Sequence, residues 1–271
     1  MNIEFLRRGT LDATGAGLIH INTVIRPVIT RPGDIVIAER GCTLGGRAVS
    51  WAYRNRVTIF ITSNGATKLY GCVSVNQSGQ ELAKQIVASA NERVKTDVAC
   101  WMVHRRFGIT CRPIDGLRSA VGVEGAQVRK IYAELARDQE LTWTGRESGK
   151  KWHEISPLNR TISMCNSALY NLTELAIIYT GYSPNHGFIH GERSGKPLVY
   201  DIADLVKFEH ITPIAFRIAA DGRPNPEWRA RAVCARLFQR RKLLRELISL
   251  TQETMDVAFE SYSIKPSRRR R

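Results

Sequence analysis

The stretch VYDIADLVKF, residues 199–208, sets two carboxylates, Asp201 and Asp204, three apart in an apolar run, with Lys207 three further on. A helix turns by about 100° per residue, so Ile202, Leu205 and Val206 share one arc and both aspartates fall outside it, Asp204 furthest. Facing water is the plain outcome for such a pair. Buried, two ionised carboxylates repel and lose hydration, and they need a cation: Lys207 supplies part of that charge, a divalent metal more. Two other stretches offer partners. In GVEGAQVRKIYAELA, 122–136, Glu124 stands between glycines at the head of a helical pattern, as a cap on the helix dipole or as a metal ligand on a rigid helix start. In GYSPNHGFIHG, 181–191, two histidines occupy a Gly/Pro/Asn-rich loop leading into the Asp201 segment, and His190 has Phe188 and Ile189 beside it to anchor its backbone. Glu, His and Asp together suit Mg²⁺ or Mn²⁺ better than zinc or copper. A hard cation of that kind offsets the charge of a phosphodiester and its transition state. Sixty-six positions separate Glu124 from His190 and 14 separate His190 from Asp204, so only the fold can bring the three together.

The basic residues point the same way. Lys and Arg number 40 against 25 Asp and Glu, a formal charge of +15, which calls for a polyanionic partner. Nucleic acid leads; an anionic membrane is weaker, because no basic amphipathic anchor stands at either end. Between Trp228 and Arg245 lie Arg229, Arg231, Arg236, Arg240, Arg241, Lys242 and Arg245, opposed nearby by Glu227. With Val233, Leu237, Leu244 and Ile248 as the apolar stripe, Arg236, Arg240, Arg241, Lys242 and Arg245 line outer faces as a DNA track. Trp143, Trp152 and Tyr170 are available to stack on bases or to pack in a core. The six cysteines form no CxxC pair, which argues against zinc and for reduced thiols in a cytosolic protein. No Ser–His–Asp or Cys–His arrangement, secretory leader, membrane-spanning run or ATP-binding motif is evident.

These groups need scaffolding. IEFLRR, GLIHI, DIVIAE, VTIFIT and KLYGCVSV read as strands, with GGRAVSWAYRNR as a short helix between the third and fourth. After SVNQSGQ, residues 74–80, the period changes: Leu82, Ile86, Ala90, Val94, Val98 and Trp101 mark one long amphipathic helix, followed by helices near 117–138, 158–179, 199–220 and 227–260. The expected class is α+β and multidomain: a β-rich domain over 1–77, a larger all-α catalytic domain over 78–265, and a basic tail at 266–271.

The blocks GVEGAQVRKIYAELA, LTWTGR, SALYNLTELAIIYTGYSPNHGFIHG and GKPLVYDIADLVKFEHITPIAF, in this order, resemble the CRISPR-associated integrase and endonuclease, the catalytic subunit of spacer acquisition, most closely in type I-E systems. The resemblance implies a prokaryotic cytoplasmic enzyme that inserts prespacer DNA into the CRISPR repeat by attack of 3′-hydroxyl ends. It implies double-stranded prespacer and repeat DNA as partners, and homodimers, two of which flank a dimer of a small ferredoxin-like subunit. It implies Glu124, His190 and Asp204 as catalytic ligands of Mg²⁺ or Mn²⁺, Asp201 as their support, Lys207 near DNA phosphate and Tyr170 near the DNA end. There are two alternatives: a structure-specific nuclease on branched DNA that uses the same three residues without the CRISPR partner, and a non-enzymatic basic nucleic-acid scaffold indifferent to chelators and to Glu124→Ala.

Overall fold

The computed structural model describes residues 1–74, 79–147, 149–191, 195–240 and 242–263. The expected hinge near residue 77, Arg241 and the basic tail lie outside the described residues. A sheet comes first. Strands β1 (Ile3–Thr14), β2 (Gly17–Ile21), β3 (Ile25–Val28), β4 (Ile35–Leu44), β5 (Thr58–Thr62) and β6 (Leu69–Val73) form one mixed sheet in the order β3-β2-β1-β4-β5-β6. β1 pairs parallel with β4 and β4 parallel with β5, the latter step crossing over through helix α1 (Gly46–Arg54). The β-branched alternation of these strands gives the sheet two apolar faces. One face, with Leu6, Leu11, Val36 and Ile59, packs under Ala48 and Ala52 of α1. The other, with Ile3, Ile35, Ile37 and Phe60, joins the continuous core of the helical part.

The β-rich start followed by helices is the expected class, with four local differences. β3 was not expected: Pro27 interrupts it, which an edge strand tolerates because one side of its backbone needs no partner. The long helix expected after residue 80 is two, α2 (Gly79–Ser89) and α3 (Glu92–Phe107). The Asn91 side chain accepts from the backbone N–H groups of Arg93 and Val94 and starts the second helix afresh. After α4 (Gly116–Asp138) and α5 (Pro157–Tyr179), the helix expected over 199–220 is α6 (Pro197–Val206), a π turn (Lys207–Ile211) and α7 (Thr212–Ala220). Pro213 has no N–H for the carbonyl one turn back, and the wider turn accommodates that loss. The last helical region likewise divides into α8 (Pro226–Gln239) and α9 (Lys242–Ser263).

α5 runs through the middle of the helical part, packing on α7, α8, α9 and α6, while α3 packs on α4, α6 and α9. No helix among the described residues is long and apolar enough to cross a membrane.

Candidate active site

The loop carrying His190 is pinned from two sides. The fully buried Gln85 amide of α2 donates to the carbonyls of Ser183 and His186, each at 2.8 Å, and accepts from the Ser183 N–H at 2.8 Å. Asp201 of α6 holds the other end. Its Oδ2 accepts from the backbone N–H groups of Phe188 (2.6 Å) and Ile189 (3.2 Å), and its Oδ1 from that of His190 (3.0 Å). The same Oδ1 lies 2.8 Å from His190 Nδ1, and the Asp201 side chain has no exposed surface. Gly187 is the close approach that allows this: a Cβ there would fall 2.6 Å from Asp201 Oδ2 and 2.7 Å from Leu198 N. With Asp201 accepting at Nδ1, the imidazole presents its Nε2 as a free lone pair. Burial alone would depress the His190 pKa, but the hydrogen bond to Asp201 and the charges of Asp201, Asp204 and Glu124 outweigh it and raise the pKa above the ordinary value. Those charges place His190 in one electrostatic neighbourhood with both other candidate ligands.

Both aspartates are buried, so the water-facing alternative is overturned. The segment is enclosed on more than the one arc that its apolar residues mark. Asp204 pairs with Lys207 at 2.5 Å, with both side chains about nine-tenths buried. Burial opposes the Asp204 charge, but Lys207, Arg106 and His190 together hold its carboxyl below the ordinary value. The same pairing keeps the Lys207 ammonium above its usual range despite burial. Glu124 is not at a helix start either. α4 begins at Gly116, which puts Glu124 two turns in and rules out the capping role. Its carboxylate pairs instead with Arg106 of α3, whose side chain is buried and whose guanidinium lies over the rings of Phe107 and Phe208, 4.7 and 5.5 Å from their centroids. The Nε and Nη2 of Arg106 are buried without a hydrogen-bond partner. Tyr170 of α5 stands edge-on to Tyr200 at 4.7 Å, and Tyr200 lies 5.5 Å from the His190 ring. Burial pushes the Tyr170 hydroxyl up to about 12.

Glu124 and Asp204 are thus each paired with a side-chain cation. Among the described residues, the trio whose ligand atoms all lie within 4.8 Å of one another is Glu209, His210 and Glu246, on the π turn and α9, and not Glu124, His190 and Asp204. Sequence reasoning missed Arg106, Gln85 and Gly187. Arg106 hides in an ordinary basic helix end, whereas Gly187, preceding an apolar pair in a histidine loop, was a readable sign of close packing.

The DNA-track candidates Arg236, Arg240, Lys242 and Arg245 are exposed. The buried stripe of α8 is Ala230, Cys234 and Phe238, with Val233 and Leu237 only flanking it, while Leu244 and Ile248 are buried in α9 as expected. The described cysteines are free thiols.

Residues 109–227, which hold Glu124, the His190 loop, Asp201, Asp204 and Lys207 but not Gln85 or Arg106, match the family model "CRISPR associated protein Cas1". Over 263 residues the chain is 33% identical to a CRISPR-associated endonuclease Cas1 of Methanospirillum hungatei, covering 94% of this chain and 86% of that one. The chain belongs to the Cas1 family. A Cas1 endonuclease of Escherichia coli is 31% identical over 262 residues, covering 94% of this chain and 85% of the other. A solved TtCas1–DNA complex superposes with a TM-score of 0.82 at 26% identity, over 93% of this chain and 95% of that one. The protein is accordingly a CRISPR-associated endonuclease, and the Cas1 fold is the β-sheet followed by helices described above.

Proposed function

We propose that this Cas1-family endonuclease acts as the integrase of CRISPR adaptation, joining 3′-hydroxyl ends of prespacer DNA to the CRISPR repeat by transesterification at a site formed by Glu124, His190 and Asp204. The observation that carries this reading is the four-contact grip of buried Asp201 on residues 188–190 and the His190 ring. A structural core histidine needs no buried carboxylate to fix its tautomer; a ligand does.

The residues fit a hard divalent cation. Two carboxylates and one imidazole supply the right donors, and both carboxylates already carry a positive partner, Arg106 or Lys207. Glu124, His190 and Asp204 would hold Mg²⁺ or Mn²⁺, which when bound supplies Lewis-acid stabilisation of the scissile phosphate and the leaving 3′ oxygen. Lys207 and Arg106 help to hold the Asp204 carboxyl below its ordinary value, and both would face the phosphate of a bound substrate. The substrate brings its own nucleophile, so no activated Ser or Cys is required. The partners proposed are double-stranded prespacer and repeat DNA, a small ferredoxin-like subunit, and a second copy of this chain. A solved relative is itself described as a DNA complex, and the exposed arginines of α8 and α9 support the same reading here.

The test is strand joining on a supercoiled plasmid bearing a CRISPR repeat, with and without the small subunit. Asp204→Ala is expected to abolish joining while DNA affinity stays within about twofold, because the exposed basic surface supplies most of the binding. Joining by that variant in magnesium would refute the site.

A further inference from the structure

We propose that a divalent ion and a DNA phosphate enter the candidate active site as a pair. Arg106 and Lys207 hold the carboxylates of Glu124 and Asp204 in the free protein. A phosphate that takes over those cations releases the carboxylates to the ion. The proposal rests on the reading of Glu124, His190 and Asp204 as metal ligands and adds how the substrate regulates their affinity.

In the free protein the three donors are not yet assembled. Mg²⁺ holds its ligands at about 2.0–2.1 Å, so two ligand atoms on one ion lie at most about 4.2 Å apart. Glu124, His190 and Asp204 do not all come within 4.8 Å of one another. The His190 ring is fixed by Asp201, so the closing movement falls to the carboxylates. Each of them is held by a buried cation, Glu124 by Arg106 and Asp204 by Lys207 at 2.5 Å. At least one carboxylate has to turn against that hold before an ion is bound.

Arg106 carries the means to let go. It gives Glu124 only its Nη1, while Nε and Nη2, which form one edge of the planar group, are buried without an acceptor. Buried donors are seldom left unpaired in a folded protein. Two donors on one guanidinium edge match two oxygens of a phosphate. The Phe208 ring lies 5.5 Å from the Arg106 guanidinium and 5.1 Å from the Lys207 ammonium, so one aromatic face seats both cations whichever anion they serve. The charges agree. Glu124, Asp201 and Asp204 against Arg106 and Lys207, with His190 neutral, leave one negative charge. A divalent ion alone overshoots to one positive charge, and a phosphodiester brings the site to zero.

The experiment titrates the full chain with Mn²⁺ in a calorimeter, alone and saturated with a branched duplex that mimics the half-joined product. Mn²⁺ held by the DNA itself is subtracted with the same complex of Asp204→Ala. The wild-type site is expected to bind Mn²⁺ about tenfold more tightly with the duplex present, and Mn²⁺ to tighten the duplex by the same factor. Arg106→Met removes one competing cation: the free variant should bind Mn²⁺ several-fold more tightly than wild type, and the effect of DNA should shrink to about threefold or less, the remainder belonging to Lys207. Equal Mn²⁺ affinity of the wild type with and without DNA overturns the proposal, and that measurement needs no variant to fold. So does a folded Arg106→Met protein that binds Mn²⁺ more weakly than wild type, which would make Arg106 a support of the site and not a competitor. Mn²⁺ bound alike by wild type and Asp204→Ala, in both states, sinks the metal-site reading itself.

Discussion

Replacing Asp201 by Asn tests the arrangement at its centre. The change is nearly isosteric, but Asn offers one carbonyl oxygen where the carboxylate offers two acceptors. Oδ2 takes the N–H groups of Phe188 and Ile189, and Oδ1 takes the His190 N–H and Nδ1. Whichever way the amide turns, two donors then face an NH₂ group. Hydrogen bonds to a charged group contribute roughly 1.5–3 kcal/mol each, so two lost bonds cost about 3–6 kcal/mol, offset in part by no longer burying a charge. A net loss of about 3 kcal/mol is expected, a large share of the 5–15 kcal/mol or so that holds a typical domain together. The imidazole tautomer is also released, and loss of such an outer carboxylate typically costs about 10–100-fold in metal affinity. Urea unfolding reads the first quantity and Mn²⁺ titration calorimetry of the folded variant the second. An Asp201→Asn protein that unfolds at the wild-type urea concentration and binds Mn²⁺ as tightly would refute the role given to Asp201.

Three further outcomes follow from the same geometry. Lys207→Ala leaves Asp204 buried without its nearest cation and is expected to destabilise the metal-free protein by about 3–5 kcal/mol, with Mn²⁺ restoring part of the loss in a thermal melt; a variant as stable as wild type would contradict the pairing. Gly187→Ala drives a methyl into Asp201 Oδ2 and the Leu198 backbone, an overpacking expected to cost about 1–3 kcal/mol and to reduce strand joining, and unaltered joining and melting temperature would count against a tight turn there. Glu147 accepts from Lys150 and from the Ser156 N–H, which holds its carboxyl down to about 2. A depressed folded-state pKa stabilises above the ordinary carboxylate range, near 4.5, and that contribution disappears as pH falls toward 2; Glu147→Gln should flatten the acid limb of the stability curve between those values, and an identical limb would dismiss the effect.

Much of this was readable from the chain, for physical reasons that differ from place to place. The sheet and most helices follow from period and punctuation, because each element buries one face. The break at Asn91 was missed because the apolar phase of α2 runs on through it; the capping asparagine was visible in SANERV but outvoted by periodicity. The π turn was missed because a wide turn costs one residue of phase and no apolar residue. The burial of Asp201 and Asp204 could not be seen in a window of ten residues. It depends on the loop at 183–190 and on α3, which close over the helix from distant parts of the chain. Arg106 shows the same limit: nothing within α3 announces that its terminal arginine pairs with Glu124, 18 positions away.

The contact between Gly65, in the turn after β5, and Ala235 of α8 has a consequence for how such proteins change over time. Two positions 170 apart in the sequence share a space that admits one methyl group. A methyl gained at 65, or a larger side chain at 235, would prise the last part of the chain off the first, and shedding the Ala235 methyl would not make room at 65 because the backbone of residue 235 is also in the way. Because Gly65 also has a left-handed φ of 66° and a Cβ there would lie 2.6 Å from the Ala235 Cα, residue 65 is confined to glycine whatever small residue stands at 235, and chimaeras that join the strands of one homologue to the helices of another should succeed or fail first at this point.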